Sequence, residues 1–234
     1  MTAISVILLA GGQGTRMRSA TPKQYLPLGD KPLAHYSFEL FMAMPEVAEI
    51  IVVCDVHYRH LFTADTFPAA RRHIRLAYAL PGVLRQDSVF NGLQASWEKT
   101  PLVCIHDAAR PCITPALVRR VIEAAEQYGA ATASIPVKHT IKQSDQAGFV
   151  RQTLDRSTLH EIQTPQIMRF SLLREGFALA HRSNSVVTDD VSLVELLNHP
   201  VKLVEGSYTN LKVTTPEDLT LALHFIPLCH TTTN

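Results

Sequence analysis

The chain has almost no net charge: 22 Lys and Arg stand against 21 Asp and Glu, leaving +1. This excludes a global pull toward nucleic acid or an anionic membrane, so any anion site must be a local gathering of cations. Its four cysteines, Cys54, Cys104, Cys112 and Cys229, include no Cys-x-x-Cys pair. Cys54 and Cys104 sit inside apolar runs, so reduced thiols are expected, not a disulfide frame or a zinc site. There is no membrane-length apolar run: residues 4–10 are too few to span a bilayer, and no basic segment precedes them. A cytoplasmic protein with no membrane and no nucleic-acid partner is expected. Internal repeats and low-complexity segments are absent as well.

What is present is an alternation. At 234 residues, with 46% hydrophobic and 18% charged, the chain can bury a full core as a single domain over 1–234. "ISVILL" (4–9), "EIIVVC" (49–54), "IRLAY" (74–78), "LVCIH" (102–106) and "ATASI" (131–135) have the composition of buried strands. Between them, Leu33, Tyr36, Leu40, Phe41 and Met44 fall on one helical stripe, as do Val89, Leu93 and Trp97. Residues 114–129 carry helix punctuation, with Thr114 as N-cap, Pro115 in the first turn and Gly129 past the end. Further helices are expected over 171–181, 188–197 and 215–226, the last signalled by Thr215, Pro216 and Asp218. The alternation predicts an α/β fold, a mostly parallel sheet with helices on both faces. The polar, β-leaning stretch 136–163 breaks the rhythm and is expected to form a hairpin arm that packs on another subunit. Residues 227–234 are expected to be a flexible tail.

Chemistry concentrates in three clusters. In "LLAGGQGTRMRSATPKQY" (8–25) the first strand breaks into Gly11, Gly12 and Gly14, followed by Arg16, Arg18 and Lys23. A loop at that position in an open α/β sheet lies where ligands bind, and its glycines let backbone N–H groups approach an anion. It is not a P-loop, because Gly14 is followed by Thr15-Arg16 where Lys-Ser/Thr is required, and a dinucleotide fingerprint would need glycine at Met17. Two readings stand: a solvated basic turn, or a cradle whose fixed cations stabilise a polyphosphate leaving group. In "PGVLRQDSV" (81–89), Asp87 or Ser88 can cap the following helix, or Gly82 and Ser88 can read the edge of a base. In "VCIHDAARPCIT" (103–114) a strand ends in His106-Asp107, with two alanines before Arg110. Asp107 is open to binding Mg²⁺, orienting a substrate hydroxyl or pairing with Arg110. A phosphate nucleophile is already ionised at neutral pH, so His106 is expected to be structural and not a general base.

The opening segment resembles nucleotidyltransferases that join a sugar or polyol phosphate to a nucleotide. With "RQDSV", "HDAARP", "TPQ" (164–166), "TDD" (188–190) and "NLKVTTPEDL" (210–219), the chain from about 4 to 225 is similar to the 2-C-methyl-D-erythritol 4-phosphate cytidylyltransferases of the non-mevalonate isoprenoid pathway. The resemblance implies a Rossmann-like αβα three-layer nucleotidyltransferase fold, with the arm building a homodimer. It implies transfer of CMP from CTP to methylerythritol phosphate, with Mg²⁺ or another divalent cation held mainly through CTP phosphates. By position, Ala10, Gly11, Gly12, Gly14, Arg16, Lys23, Gly82 and Ser88 would bind CTP, and Asp107, Arg110, Thr140, Arg156, Thr164 and Lys212 the acceptor. Arg16, Lys23, Arg156 and Lys212 would be catalytic, with Thr140 and Arg156 serving the neighbouring subunit's site. The family pattern is broken at Pro81, Val83, His139, Thr209 and Asp190, near the base loop and acceptor pocket. Ribitol 5-phosphate is the alternative acceptor, and a non-catalytic nucleotide-binding or scaffolding protein the alternative of another class.

Overall fold

The structure, a computed structural model, describes residues 2–12, 17, 19, 21–63 and 74–230. In chain order the first half contains β1 (Ile4–Leu9), β2 (Pro27–Leu28), β3 (Lys31–Pro32), α1 (Leu33–Ala43), β4 (Val47–Val53), β5 (Arg75–Ala79), α2 (Arg85–Ala95) and β6 (Leu102–Asp107). Then follow α3 (Pro115–Tyr128), β7 (Ala130–Pro136), β8 (Lys142–Ser144), β9 (Val150–Thr153), β10 (His160–Arg169), α4 (Phe170–Ser183), α5 (Ser192–Glu195), β11 (Lys202–Glu205) and α6 (Pro216–His230). Seven strands make one sheet in the order β11-β7-β10-β6-β1-β4-β5. All share one direction except β10, which runs antiparallel to both neighbours.

Strand alternation divides the core into two layers. Val6 and Leu8 of β1 face Phe38, Phe41 and Met42 of α1 and Leu117, Val118 and Val121 of α3. Ile7 points the other way, into Val89 and Leu93 of α2 and Leu173 and Phe177 of α4. Each fully buried side chain of this size contributes about 1.5–3 kcal/mol, so the two layers fix the sheet between its helices. The carboxyl ends of β1, β4, β5 and β6 are thereby held as one rim.

The expected strands and the α3 punctuation are found, with Thr114 Oγ1 accepting the Leu117 N–H at 3.3 Å. Three expectations change. The helix over 188–197 shrinks to the single turn α5, because Gln166 Oε1 takes the N–H groups of Asp190 (2.8 Å) and Val191 (3.1 Å) and satisfies the backbone there. Trp97 lies beyond α2, its N–H donated to Glu49 Oε1 at 2.5 Å, and its ring is half exposed. The stretch 136–163 divides: β8 and β9 form a separate exposed hairpin, turned at Asp145, whereas residues 160–163 belong to β10 inside the main sheet. Cys54, Cys104, Cys112 and Cys229 are free thiols. At the other end of the chain, α6 continues to His230, and 231–234 lie outside the described residues.

Candidate active site

A cavity of about 760 Å³ opens at the rim, where ligands bind in open α/β sheets. Its walls are the backbone of Gly11, Gly12 and Gly82, with Lys23, Ser88, Arg85, Asp107 and Lys212 around it. The "PKQY" segment fixes the glycine end of β1. Gln24 Nε2 donates to Ala10 O (2.6 Å) and Gly12 O (2.9 Å), and the Tyr25 hydroxyl donates to Ala10 O (2.6 Å). Gly11 is dictated by close approach, since a Cβ there would stand 2.4 Å from Pro81 Cβ. Gly82 is dictated in the same way by Asp87, whose Cβ a side chain on Gly82 would meet at 2.2 Å. Asp87 caps α2 by accepting the Leu84 N–H at 2.9 Å, and Ser88 Oγ accepts the Gly82 N–H at 3.0 Å. Of the two roles open to this pair, Asp87 takes the cap and Ser88 holds the loop at the cavity wall.

The electrostatic centre is Asp107, at the end of β6. Its Oδ2 meets Lys212 Nζ at 2.7 Å and its Oδ1 meets Arg85 Nη2 at 3.2 Å. Arg85 also grips Asp190 with two bonds, at 2.7 and 2.8 Å. Burial opposes a charge on Asp107, but Arg85, Lys212 and Arg110 outweigh it and hold the carboxyl well below the usual range. Arg110 does not pair with Asp107 as one sequence reading allowed. Its buried guanidinium donates from Nη1 to Asn210 O at 2.7 Å, while its Nε has no hydrogen-bond partner. His106 is fully buried, and burial pushes its imidazole down to about 3. A ring neutral at pH 7, bonded through Nδ1 to Thr164 Oγ1 at 3.0 Å, is structural, as expected.

The other expected residues are placed as follows. Lys23 Nζ donates to Val213 O at 2.6 Å, which brings it to the same rim as Lys212. Ala10 is buried behind Gly11. Thr164 is also buried, and its hydroxyl accepts the Asp107 N–H at 3.1 Å, so it shapes the floor of the site and does not line the cavity. Gly14 and Arg16 lie outside the described residues. Thr140 and Arg156 are exposed on the arm, Arg156 bonded to Lys138 O, and neither lines this cavity. Among the departing positions, Val83 is 97% exposed on the lip, Thr209 bonds Ser207, and Asp190 anchors Arg85. The sequence reading missed the roles of Arg85, Gln24 and Asn210. Asn210 Nδ2 ties Gln163 and Thr164 of β10 to the Lys212 loop, at 3.0 and 2.9 Å.

Among the described residues no group of three or more His, Cys, Asp or Glu side chains is placed to hold a metal ion. The carboxylate that borders the cavity, Asp107, has both oxygens engaged. This set suits a divalent cation that arrives on a triphosphate and keeps phosphate and water ligands.

A parallel-sheet rim carrying glycine backbone, lysines and one compensated carboxylate defines the domain as a nucleotidyltransferase. The family model described as "IspD: 2-C-methyl-D-erythritol 4-phosphate cytidylyltransferase" matches residues 4–227. The chloroplastic 2-C-methyl-D-erythritol 4-phosphate cytidylyltransferase of Oryza sativa subsp. japonica is 52% identical, over 94% of this chain and 73% of its own. The enzyme of that name from Chlamydia pneumoniae is 42% identical, over 95% and 98%. The crystal structure of 4-diphosphocytidyl-2C-methyl-D-erythritol synthase from Anaerococcus prevotii superposes with a TM-score of 0.83 at 27% identity, covering 96% and 98% of the two chains. The chain belongs to the 2-C-methyl-D-erythritol 4-phosphate cytidylyltransferase family.

Proposed function

We infer that this protein transfers CMP from CTP to the phosphate of 2-C-methyl-D-erythritol 4-phosphate, releasing pyrophosphate. The observation that carries this reading is the meeting of Lys23, Lys212 and Asp107 with the Gly11-Gly12 backbone around one cavity. An ionised oxygen of the acceptor phosphate attacks the α-phosphorus of CTP in line. The new P–O bond forms as the bond to the β-phosphate's bridging oxygen breaks, and pyrophosphate departs with that electron pair. No covalent enzyme intermediate and no general base are needed, which agrees with the neutral, buried His106.

Catalysis is then positioning and charge stabilisation. Lys23, with Arg16 as the family position implies, stabilises negative charge on the α-phosphate and the departing pyrophosphate. Gly82 N–H is already bonded to Ser88, so this loop presents a held edge to the base. Asp107 accepts hydroxyl hydrogens of the polyol and Lys212 draws its phosphate, while the buried Arg110 adds positive charge behind Asp107. A divalent cation bound through the CTP phosphates would supply further charge neutralisation. Arg156 and Thr140 do not line this cavity, so we assign them to the site of a second copy, with the exposed hairpin as the dimer contact. Phe149 and Val150 on that hairpin are 72% and 64% exposed, which supports a covering partner. No described helix is long and apolar enough to cross a membrane.

The test supplies CTP and Mg²⁺ with either methylerythritol phosphate or ribitol 5-phosphate and follows pyrophosphate release. Faster turnover with methylerythritol phosphate is expected. Preference for ribitol phosphate would reverse the acceptor assignment, and nucleotide binding without pyrophosphate release would favour a scaffold.

A further inference from the structure

We propose that Arg85 is a positioning residue that keeps Asp107 compensated, so that Lys212 is released to the acceptor's phosphate. The inference rests on the acceptor reading given above.

Asp107 has a different cation on each oxygen, and the two are held very differently. Arg85 comes from the start of α2 and is gripped from behind by both oxygens of Asp190, whose own side chain is only 2% exposed. Asp190 is fixed in turn through its N–H to Gln166 on β10. This is a planar fork locked between two carboxylates. Lys212 is a point charge on a flexible stem, 37% exposed, and it reaches Asp107 from a segment that belongs to no strand or helix. Around the carboxylate the remaining polar groups are Arg110, bonded to Asn210 O, and the neutral His106 with Thr164.

If Lys212 were the sole partner of Asp107, turning it to a phosphate would strand a buried carboxylate, a heavily penalised state. With Arg85 on the other oxygen, the lysine can leave while Asp107 stays paired and keeps lone pairs for substrate hydroxyls. Arg85 thereby makes a lysine of the resting ion pair available as a phosphate ligand. It acts through Asp107, without having to touch the reacting atoms.

The experiment measures initial rates of pyrophosphate release against each substrate. Wild-type turnover of CTP with methylerythritol phosphate is established first, since its absence would overturn the acceptor reading itself. The main variant is Arg85→Gln with Asp190→Asn, which removes the pair together and leaves no orphaned carboxylate. The expected result is an acceptor KM raised by about tenfold or more while the CTP KM stays within about twofold. Adding Asp107→Asn should leave the triple variant within about threefold of Asp107→Asn alone, because both changes act at one group. Equal rises in both KM values, or losses that multiply with Asp107→Asn, would overturn the proposal. Should the double variant fail to fold, Arg85→Lys decides: it keeps the charge and loses the fork. It should give the same split at about threefold, and an unchanged acceptor KM would count against the role.

Discussion

Two buried carboxylates on one sheet, Glu49 and Asp107, are held in opposite ways, one walled in by fixed groups and the other by long side chains at the edge of a cavity. Glu49, near the start of β4, is fully buried, and its partners are the Ser5 hydroxyl (2.6 Å), the Trp97 N–H (2.5 Å) and Arg75. One of these is main chain and another a short hydroxyl, so the charge is walled in by groups that cannot leave. Asp107, at the end of β6, relies for its carboxylate on two long cationic side chains and borders a cavity. The difference lies in exchangeability. A site that must bind and release phosphate needs partners able to move.

The largest effect should come from Lys212→Ala, which removes the mobile partner of Asp107. A fall of about 10²–10³ in kcat/KM is expected, with the melting temperature nearly unchanged because Arg85 still pairs with Asp107. Glu49→Ala should invert this pattern, costing about 3 kcal/mol in stability by opening a cavity and leaving the Trp97 N–H without its acceptor, while kcat per folded molecule stays normal. Chemical denaturation together with active-site-normalised rates checks both. If Glu49→Ala lost turnover without losing stability, the contrast between the two carboxylates would collapse.

The third effect is on pH. The His106 imidazole titrates near 3 in the fold, below its ordinary value. Between about 6.5 and that value the unfolded chain therefore binds the extra proton, and stability falls as pH drops. From pH 7 to pH 5 the wild type should lose about 2 kcal/mol through this residue. In His106→Gln that share of the loss should vanish, which urea midpoints at the two pH values would register. Gly82→Ala should be the mildest change. The added Cβ pushes the base loop off Asp87 and should raise the CTP KM about tenfold, or about 1.4 kcal/mol, with the acceptor KM unaltered in titrations of each substrate.

Much of this was legible in the sequence where one local cause governs. The β1 strand and the α3 caps each depend on residues within a few positions of one another, whereas Gly11 is forced also by Pro81, far along the chain. Strand β10 was hidden because its first residues, His160 and Glu161, are exposed and polar and Ile162 is exposed although apolar, while Gln163, Thr164 and Gln166 are polar yet buried. Their burial is tolerated through bonds to Asn210, Asp107 and Asp190, all distant in sequence. The role of Arg85 was hidden for the same reason: its two carboxylates lie 22 and 105 residues away. A motif could mark "RQDSV" as a cluster, but only the fold shows where its arginine points.

The reversed direction of β10 has a consequence for how such a protein can vary. Because β7 leaves the sheet at Pro136 and β10 re-enters at His160 on the same edge, register by register, the excursion between them closes on itself. No crossover helix has to follow it, and no other strand depends on its length. Residues 137–159 therefore form an exchangeable insert. A lineage can lengthen or recharge this segment while the seven-stranded frame and the cavity at its rim, which no residue of the segment lines, keep their geometry.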